Sequence, residues 1–170
     1  MNALADAKVA QHFNENFVCT YLKVGAFQIV NGQKVGGNVA SYFCLPDTTV
    51  VHAIAGQTNA SQLLKEARWA ADIRKTAQTF STNLETGKMD MRVYANHISR
   101  AHAERYHAES RTPLADRKTI PRQMPRLATQ QTQTHWLLAT NSASKLATIY
   151  PIVWQQILRE ELSALPVGQR

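Results

Sequence analysis

The sequence predicts a mixed α/β (α+β) fold, and three observations carry that expectation. Residues 39–45 and 50–55, two runs rich in aromatic and β-branched side chains, flank Pro46-Asp47-Thr48-Thr49 and read as a β-hairpin. After it, Leu63, Ala67, Ala70, Ile73, Ala77, Phe80 and Leu84 recur at spacings of three and four, which puts them on one face of a long helix. Residues 127–165 then carry helical spacing rather than strand alternation.

Each element has a local reason. Residues 5–13 (ADAKVAQHF) can form a short helix, and Asn14-Glu15-Asn16 interrupts it before residues 17–24 (FVCTYLKV), whose aromatic and β-branched density predicts a strand. Asn31-Gly32 and Gly36-Gly37-Asn38 supply the positive-φ positions of a tight loop. In the hairpin turn Pro46 fixes φ and Asp47 can bond its own backbone. Gly56 closes the second strand, Asn59 is the expected N-cap of the long helix with Gln62 completing a capping box, and Gly87 is the expected stop.

Beyond residue 88 the pattern changes. Pro113, Pro121 and Pro125 prevent one continuous helix, so residues 111–133 read as an extended linker. Helical pattern resumes over residues 134–139, and again from Pro151, a favourable first-turn residue, to Leu165. Tyr150, Val153, Trp154, Ile157, Leu158, Leu162 and Leu165 form a broad apolar face there. Trp136, Tyr150 and Trp154 therefore cover the open side of the small sheet or form a partner-binding face.

The order helix, strand, loop, hairpin, Gly, helix resembles the C-terminal half of thioredoxin-like domains over residues 3–75. Asn14-Glu15-Asn16-Phe17-Val18, and Tyr42-Phe43 with Leu45-Pro46-Asp47 followed by Val51-His52 and Gly56, carry the resemblance. It implies a truncated thioredoxin-like core in residues 1–87 and a helical extension in residues 88–170. Redox members of that family use Cys-x-x-Cys at a helix N-terminus, where the dipole favours thiolate. This chain has no such pair, and the family's cis-proline before the first hairpin strand is missing as well. Cys19 and Cys44 fall in expected strands, where free Cys acts as a small buried hydrophobe. The family's central strand is also absent, so three outcomes are open: the strand over residues 17–24 closes directly, antiparallel, onto residues 39–45, which is the favoured expectation, a segment of the C-terminal extension enters the gap, or another chain supplies the strand.

Charge is regional within a net +7. Residues 1–90 hold eight Lys/Arg against seven Asp/Glu, residues 91–126 eight against three, and residues 127–170 three against two. Arg92, Arg100, Arg105, Arg111, Arg117, Lys118, Arg122 and Arg126 offer an anion-binding track, yet no nucleic-acid-binding motif accompanies them, and a solvated basic helix and linker is the favoured reading. His97, His102 and His107 lie five residues apart, so they cannot share a helix face; they are expected as exposed or half-buried helix residues, with no metal and no cofactor. No run approaches bilayer length and no apolar leader begins the chain, so a cytoplasmic protein is expected if Met1 is the true start. The function that follows is a non-catalytic interaction or scaffold module, binding a second copy or another protein. Two rivals stand beside it: a thiol-disulfide oxidoreductase whose redox half lies elsewhere, and a basic nucleic-acid-binding accessory protein.

Overall fold

The computed structural model describes residues 3–23, 28–31, 33–35, 37–113, 119–161 and 168–169. It mixes helix and strand: α1 (Ala7–Asn16), β1 (Leu22–Lys23), β2 (Gln28–Val30), β3 (Gln33–Val35), β4 (Ala40–Cys44), β5 (Val50–Ala55), α2 (Ala60–Ser81), α3 (Met91–Glu109), α4 (Gln130–Thr140), α5 (Leu146–Ile152) and β6 (Gly168–Gln169). No helix among the described residues is long and apolar enough to cross a membrane.

The hairpin of β4 and β5 is the hub. Its antiparallel register pairs Tyr42 with Ala53, Phe43 with His52 and Cys44 with Val50, leaving Val51 as a bulge. The turn forms as the residues dictate: Asp47 Oδ1 accepts from Thr49 N at 3.0 Å, and Thr48 takes the left-handed conformation. Every residue of β5 is buried. On one side Phe43 and Ile54 pack with Val9, Leu63, Ala67 and Ala70 from α1 and α2. On the other, Val50, Ala53 and Ala55 join Leu137, Leu138, Ile149, Val153, Trp154 and Ile157. A third cluster, Leu45, Val51, Ala77, Tyr94 and Ile98, fills the turn end of the hairpin. The core thus draws on both sides of residue 87.

Among the described residues β4 and β5 form a sheet of two strands, so the outer edge of β5 must find partners elsewhere. It finds them in the extension. Val51 O accepts from His102 Nε2 at 2.9 Å, Ala53 O from Gln131 Nε2 at 3.3 Å, and Val50 N donates to Ser144 O at 2.9 Å. Gly56, at φ +93°, ends β5, and a Cβ there would come within 2.7 Å of the Gln130 side chain. Three residues on, Asn59 Oδ1 accepts from Gln62 N at 2.9 Å and starts α2 across the hairpin. Gln62 does not reach back to complete the box; its amide goes to Glu66 Oε1 at 2.7 Å.

Several expectations are corrected. Among the described residues of the strand expected over residues 17–24, only Leu22–Lys23 is extended ladder, and it pairs antiparallel with Gly168–Gln169 of the extension, not with β4. The reason is aromatic: Phe13 and Phe17 pack on Phe43 at ring separations of 6.1 and 5.4 Å, so this segment covers the hairpin face instead of adding an edge. Cys19 is exposed and outside any strand, while Cys44 lies in β4, where burial pushes its thiol up to about 11. The long helix ends at Ser81 rather than near Gly87, which leaves Phe80 stacked on His97 and Leu84 fully exposed. Helix α4 begins four residues before Thr134 because Thr129 caps it, its hydroxyl accepting from Thr132 N at 3.1 Å. Pro151 falls inside α5 instead of opening it, and the chain continues in a π-helical turn, Val153–Leu158, that Arg159 ends in the left-handed conformation. Gly32, Gly36, Leu162, Leu165 and Pro166 lie outside the described residues.

Leu137, 1% exposed at the centre of the larger cluster, is expected to be costly to truncate: Leu137→Ala should lower unfolding free energy by about 2–5 kcal/mol in urea titration. Leu84→Ala, at a fully exposed position, should change it by less than about 0.5 kcal/mol.

Candidate metal centre

A histidine in a fully buried strand must find a partner for each ring nitrogen or leave it unsatisfied. His52 is such a residue, with no solvent exposure, on the face of β5 that α2 covers. Its Nε2 meets Glu66 Oε2 at 3.1 Å, while its Nδ1 has no hydrogen-bond partner. Helix α3 presents Tyr94, Ile98, His102 and Tyr106 at successive spacings of four, all buried, so His102 belongs to an inward stripe. The carbonyl it contacts can only accept, so Nε2 of His102 carries the hydrogen and, in the neutral ring, Nδ1 carries the lone pair. That Nδ1 lies 2.9 Å from Nδ1 of His135, which α4 brings in from the third side. One ring nitrogen from each of His52, His102 and His135 lies within 4.8 Å of the other two.

The outward nitrogens are all engaged by oxygens. Those of His52 and His102 meet Glu66 and the Val51 carbonyl, and Nε2 of His135 lies 3.4 Å from Glu109 Oε1, whose other oxygen accepts from Thr132 Oγ1 at 2.9 Å. Ligating histidines in metal sites have this arrangement, an oxygen behind each ring that fixes its tautomer and orientation. Two bare Nδ1 lone pairs cannot face each other at 2.9 Å without a positive centre between them. A hydrogen on His135 Nδ1 would serve as well, and the bare Nε2 of that ring would then face the Gln131 amide at 3.4 Å as well as the Glu109 carboxylate. A cation between the rings leaves every Nε2–H pointing at an oxygen.

Electrostatics favours the neutral rings that bind metals. Burial lowers His52 to about 4, against the opposing pull of Glu66, and burial holds His102 well below its ordinary value, aided by its histidine neighbours. Burial by itself would raise Glu66, but the hydrogen bond from His52 and the guanidinium of Arg105 outweigh it and bring the carboxyl down to about 2. Arg105 Nη1 donates to Glu66 Oε2, the oxygen that His52 also contacts, and Gln62 donates to Oε1. Trp69 roofs the site edge-on, its ring 4.9, 5.0 and 5.6 Å from those of His52, His102 and His135, with the Arg105 guanidinium 3.8 Å over it. Tetrahedral zinc, about 2.0–2.1 Å from each nitrogen, wants ligand atoms roughly 3.3 Å apart. The Nδ1 atoms of His102 and His135 stand inside that spacing at 2.9 Å and all three ligand atoms fall within 4.8 Å of one another, so the rings must shift to hold such an ion.

The residues singled out from sequence lie elsewhere, with two exceptions, His102 and Arg105. His97, His102 and His107 do not converge, as their spacing requires, but His102 and His107 are buried rather than at the surface, and His102 meets histidines of other elements. In the basic segment, Arg100 pairs with Glu104 on the surface, Arg111, Arg122 and Arg126 are exposed, and Arg105 turns inward to Glu66 and Trp69. Arg117 and Lys118 lie outside the described residues. Trp154 is buried in the larger core cluster, Tyr150 packs on Tyr42 at 5.9 Å, and half-buried Trp136 donates to Pro121 O at 2.8 Å, so all three are engaged within the chain. Reasoning from sequence missed His52 and His135, whose signal was a histidine inside an otherwise apolar strand and another beside Trp136-Leu137-Leu138. Comparison with protein-family models, curated proteins and solved structures finds no match to this chain.

The buried imidazoles of His52 and His102 set the acid response of the metal-free protein. A histidine whose folded pKa is depressed takes up its proton more readily when unfolded, so stability is full above the ordinary value of 6.5 and falls as pH drops toward about 4. Glu66, depressed from 4.5 to about 2, extends the loss further into acid. Urea midpoints measured from pH 7 to pH 4 should therefore fall steadily; a flat profile across that window would place the imidazoles in solvent.

Proposed function

We propose that this chain is a metal-binding protein whose centre is formed by His52, His102 and His135, taking zinc or a similar borderline divalent ion that imidazole suits. One observation carries the reading: three buried imidazoles from three different elements bring ring nitrogens within 4.8 Å of one another, with an oxygen of Glu66, Val51 or Glu109 against a ring nitrogen of each. Three protein ligands leave a fourth position open to water or an added ligand. Glu66 and Glu109 orient rings and supply negative charge behind them.

Metal-stripped protein titrated against a zinc-responsive chelator should take up one equivalent of Zn2+, with thermal or urea stability rising by about 2.7 kcal/mol when free zinc is a hundredfold above Kd. His52→Ala, His102→Ala and His135→Ala should each abolish uptake, Glu66→Gln should weaken it by roughly 10- to 100-fold, and His97→Ala should leave it intact. Failure to retain Zn2+, Co2+, Ni2+ or Cu2+ in the unaltered chain would remove the reading.

The coarser reading of a thioredoxin-like remnant acting as an interaction or scaffold module stands beside it. The order α1, β4–β5 hairpin, Gly56 and α2 supports descent from the second half of that fold, and the metal centre would then be a feature added by α3 and α4. Val18, Tyr21, Leu22 and Val39, all exposed, favour a protein partner on the segment around β1 and β4. A second copy is the simplest such partner. Sedimentation between 10 and 100 µM, ordinary working concentrations on the order of those where weak interfaces form, should then show association that Val18→Glu weakens; a concentration-independent monomer would rule self-association out.

A further inference from the structure

Trp69, with Arg105 stacked on its ring, also borders open space. A groove of about 410 Å³ opens there, lined among others by Ser61, Lys65, Arg68, Trp69, Asp72 and Arg105. Helical spacing explains its chemistry: Glu66 and Trp69 point to the histidines, while Lys65, Arg68 and Asp72, one position before or three after, border the groove. Three cations, of which Arg105 is already paired with Glu66, face the one carboxylate of Asp72. Lys65 and Arg68 are exposed and make no ion pair among the described residues, and Arg105 is half-buried, lying on Trp69 with its Nη1 on Glu66. The groove is therefore a cationic cup, of small-molecule size, whose wall is the same tryptophan that roofs the three imidazoles.

We propose that this groove binds a small phosphate-bearing molecule over Trp69, with Lys65 and Arg68 holding the dianion and Arg105 the group it shares with the metal centre. Lys65 and Arg68, neither in an ion pair among the described residues, offer a phosphate dianion two cationic contacts, and arginine offers the planar fork that phosphate oxygens accept. Arg105 links the two sites because its guanidinium borders the groove while donating to Glu66, the acceptor behind His52. An anion that draws on Arg105 alters the charge facing Glu66, so groove and centre are coupled, and coupling is reciprocal. Binding of the phosphate itself rests on the groove alone; only the coupling rests on the metal reading.

The test uses the full chain, with and without zinc, and phenyl phosphate as probe in isothermal titration calorimetry, inorganic phosphate being the second probe. Saturable one-to-one binding is expected, weakened at least about tenfold, roughly the loss of one charge-assisted contact, in Lys65→Ala/Arg68→Ala, with zinc stoichiometry unchanged. An Arg92→Ala/Arg122→Ala control, removing surface charge away from the groove, should bind as the unaltered chain does. Zinc affinity should differ with and without saturating phenyl phosphate by the same factor as phenyl phosphate affinity with and without zinc. No binding, or binding equally affected by the control, overturns the proposal, and zinc-independent affinity overturns the coupling. Phenyl phosphate binding in a chain that takes up no zinc would remove the metal reading while leaving the groove standing.

Discussion

The outer edge of β5 is the constraint on which the rest of the structure depends. A six-residue strand buried throughout has one strand neighbour, β4, so the backbone groups of its other edge must be satisfied inside the protein or cost free energy. Side chains of α3 and α4 do this. His102 takes the Val51 carbonyl, which the bulge leaves outside the ladder, and Gln131 takes that of Ala53. Once an imidazole is committed by one nitrogen to a buried backbone carbonyl, its other nitrogen is buried as well. The convergence of His102 with His135 and His52 is therefore the consequence of closing a sheet edge with helices.

Glu66 balances the charge that this closure brings indoors. It receives His52, Arg105 and Gln62, so both oxygens are bonded. A carboxylate with three donors stays ionised at neutral pH and gives the centre a negative charge behind the neutral ring of His52. Replacing it by an amide would leave Arg105, stacked on Trp69, without its ionic partner. Trp69 thus lies between two chemistries, buried imidazoles on its inner side and a cationic groove on its outer side.

The helices owe their placement to local chemistry. Asn59, Asp90 and Thr129 cap α2, α3 and α4 with their side chains, which fixes where each begins and so which residues turn inward. Gly56 lets the chain leave β5 at φ +93° and keeps clear of Gln130, so α2 and α4 can both approach the hairpin.

By itself, the sequence determined the local pieces: the β4–β5 hairpin and its Asp47 turn, the Asn59 cap, the inward stripe of Leu63, Ala67, Ala70 and Ala77, and the helical extension. These are legible because propensity, turn chemistry and periodicity act over a few neighbouring residues. It also excluded a shared face for His97, His102 and His107, since that depends on helical geometry alone. Tertiary structure decided the rest. Whether residues 17–24 added to the hairpin or packed across it depended on Phe43, and the partner of Leu22–Lys23 came from the far end of the chain. The centre joins residues 52, 102 and 135 from a strand and two helices, and no local spacing encodes it. The physical reason is that burial, not sequence distance, creates the need for partners: a histidine is an ordinary polar residue until the fold removes water from both its nitrogens.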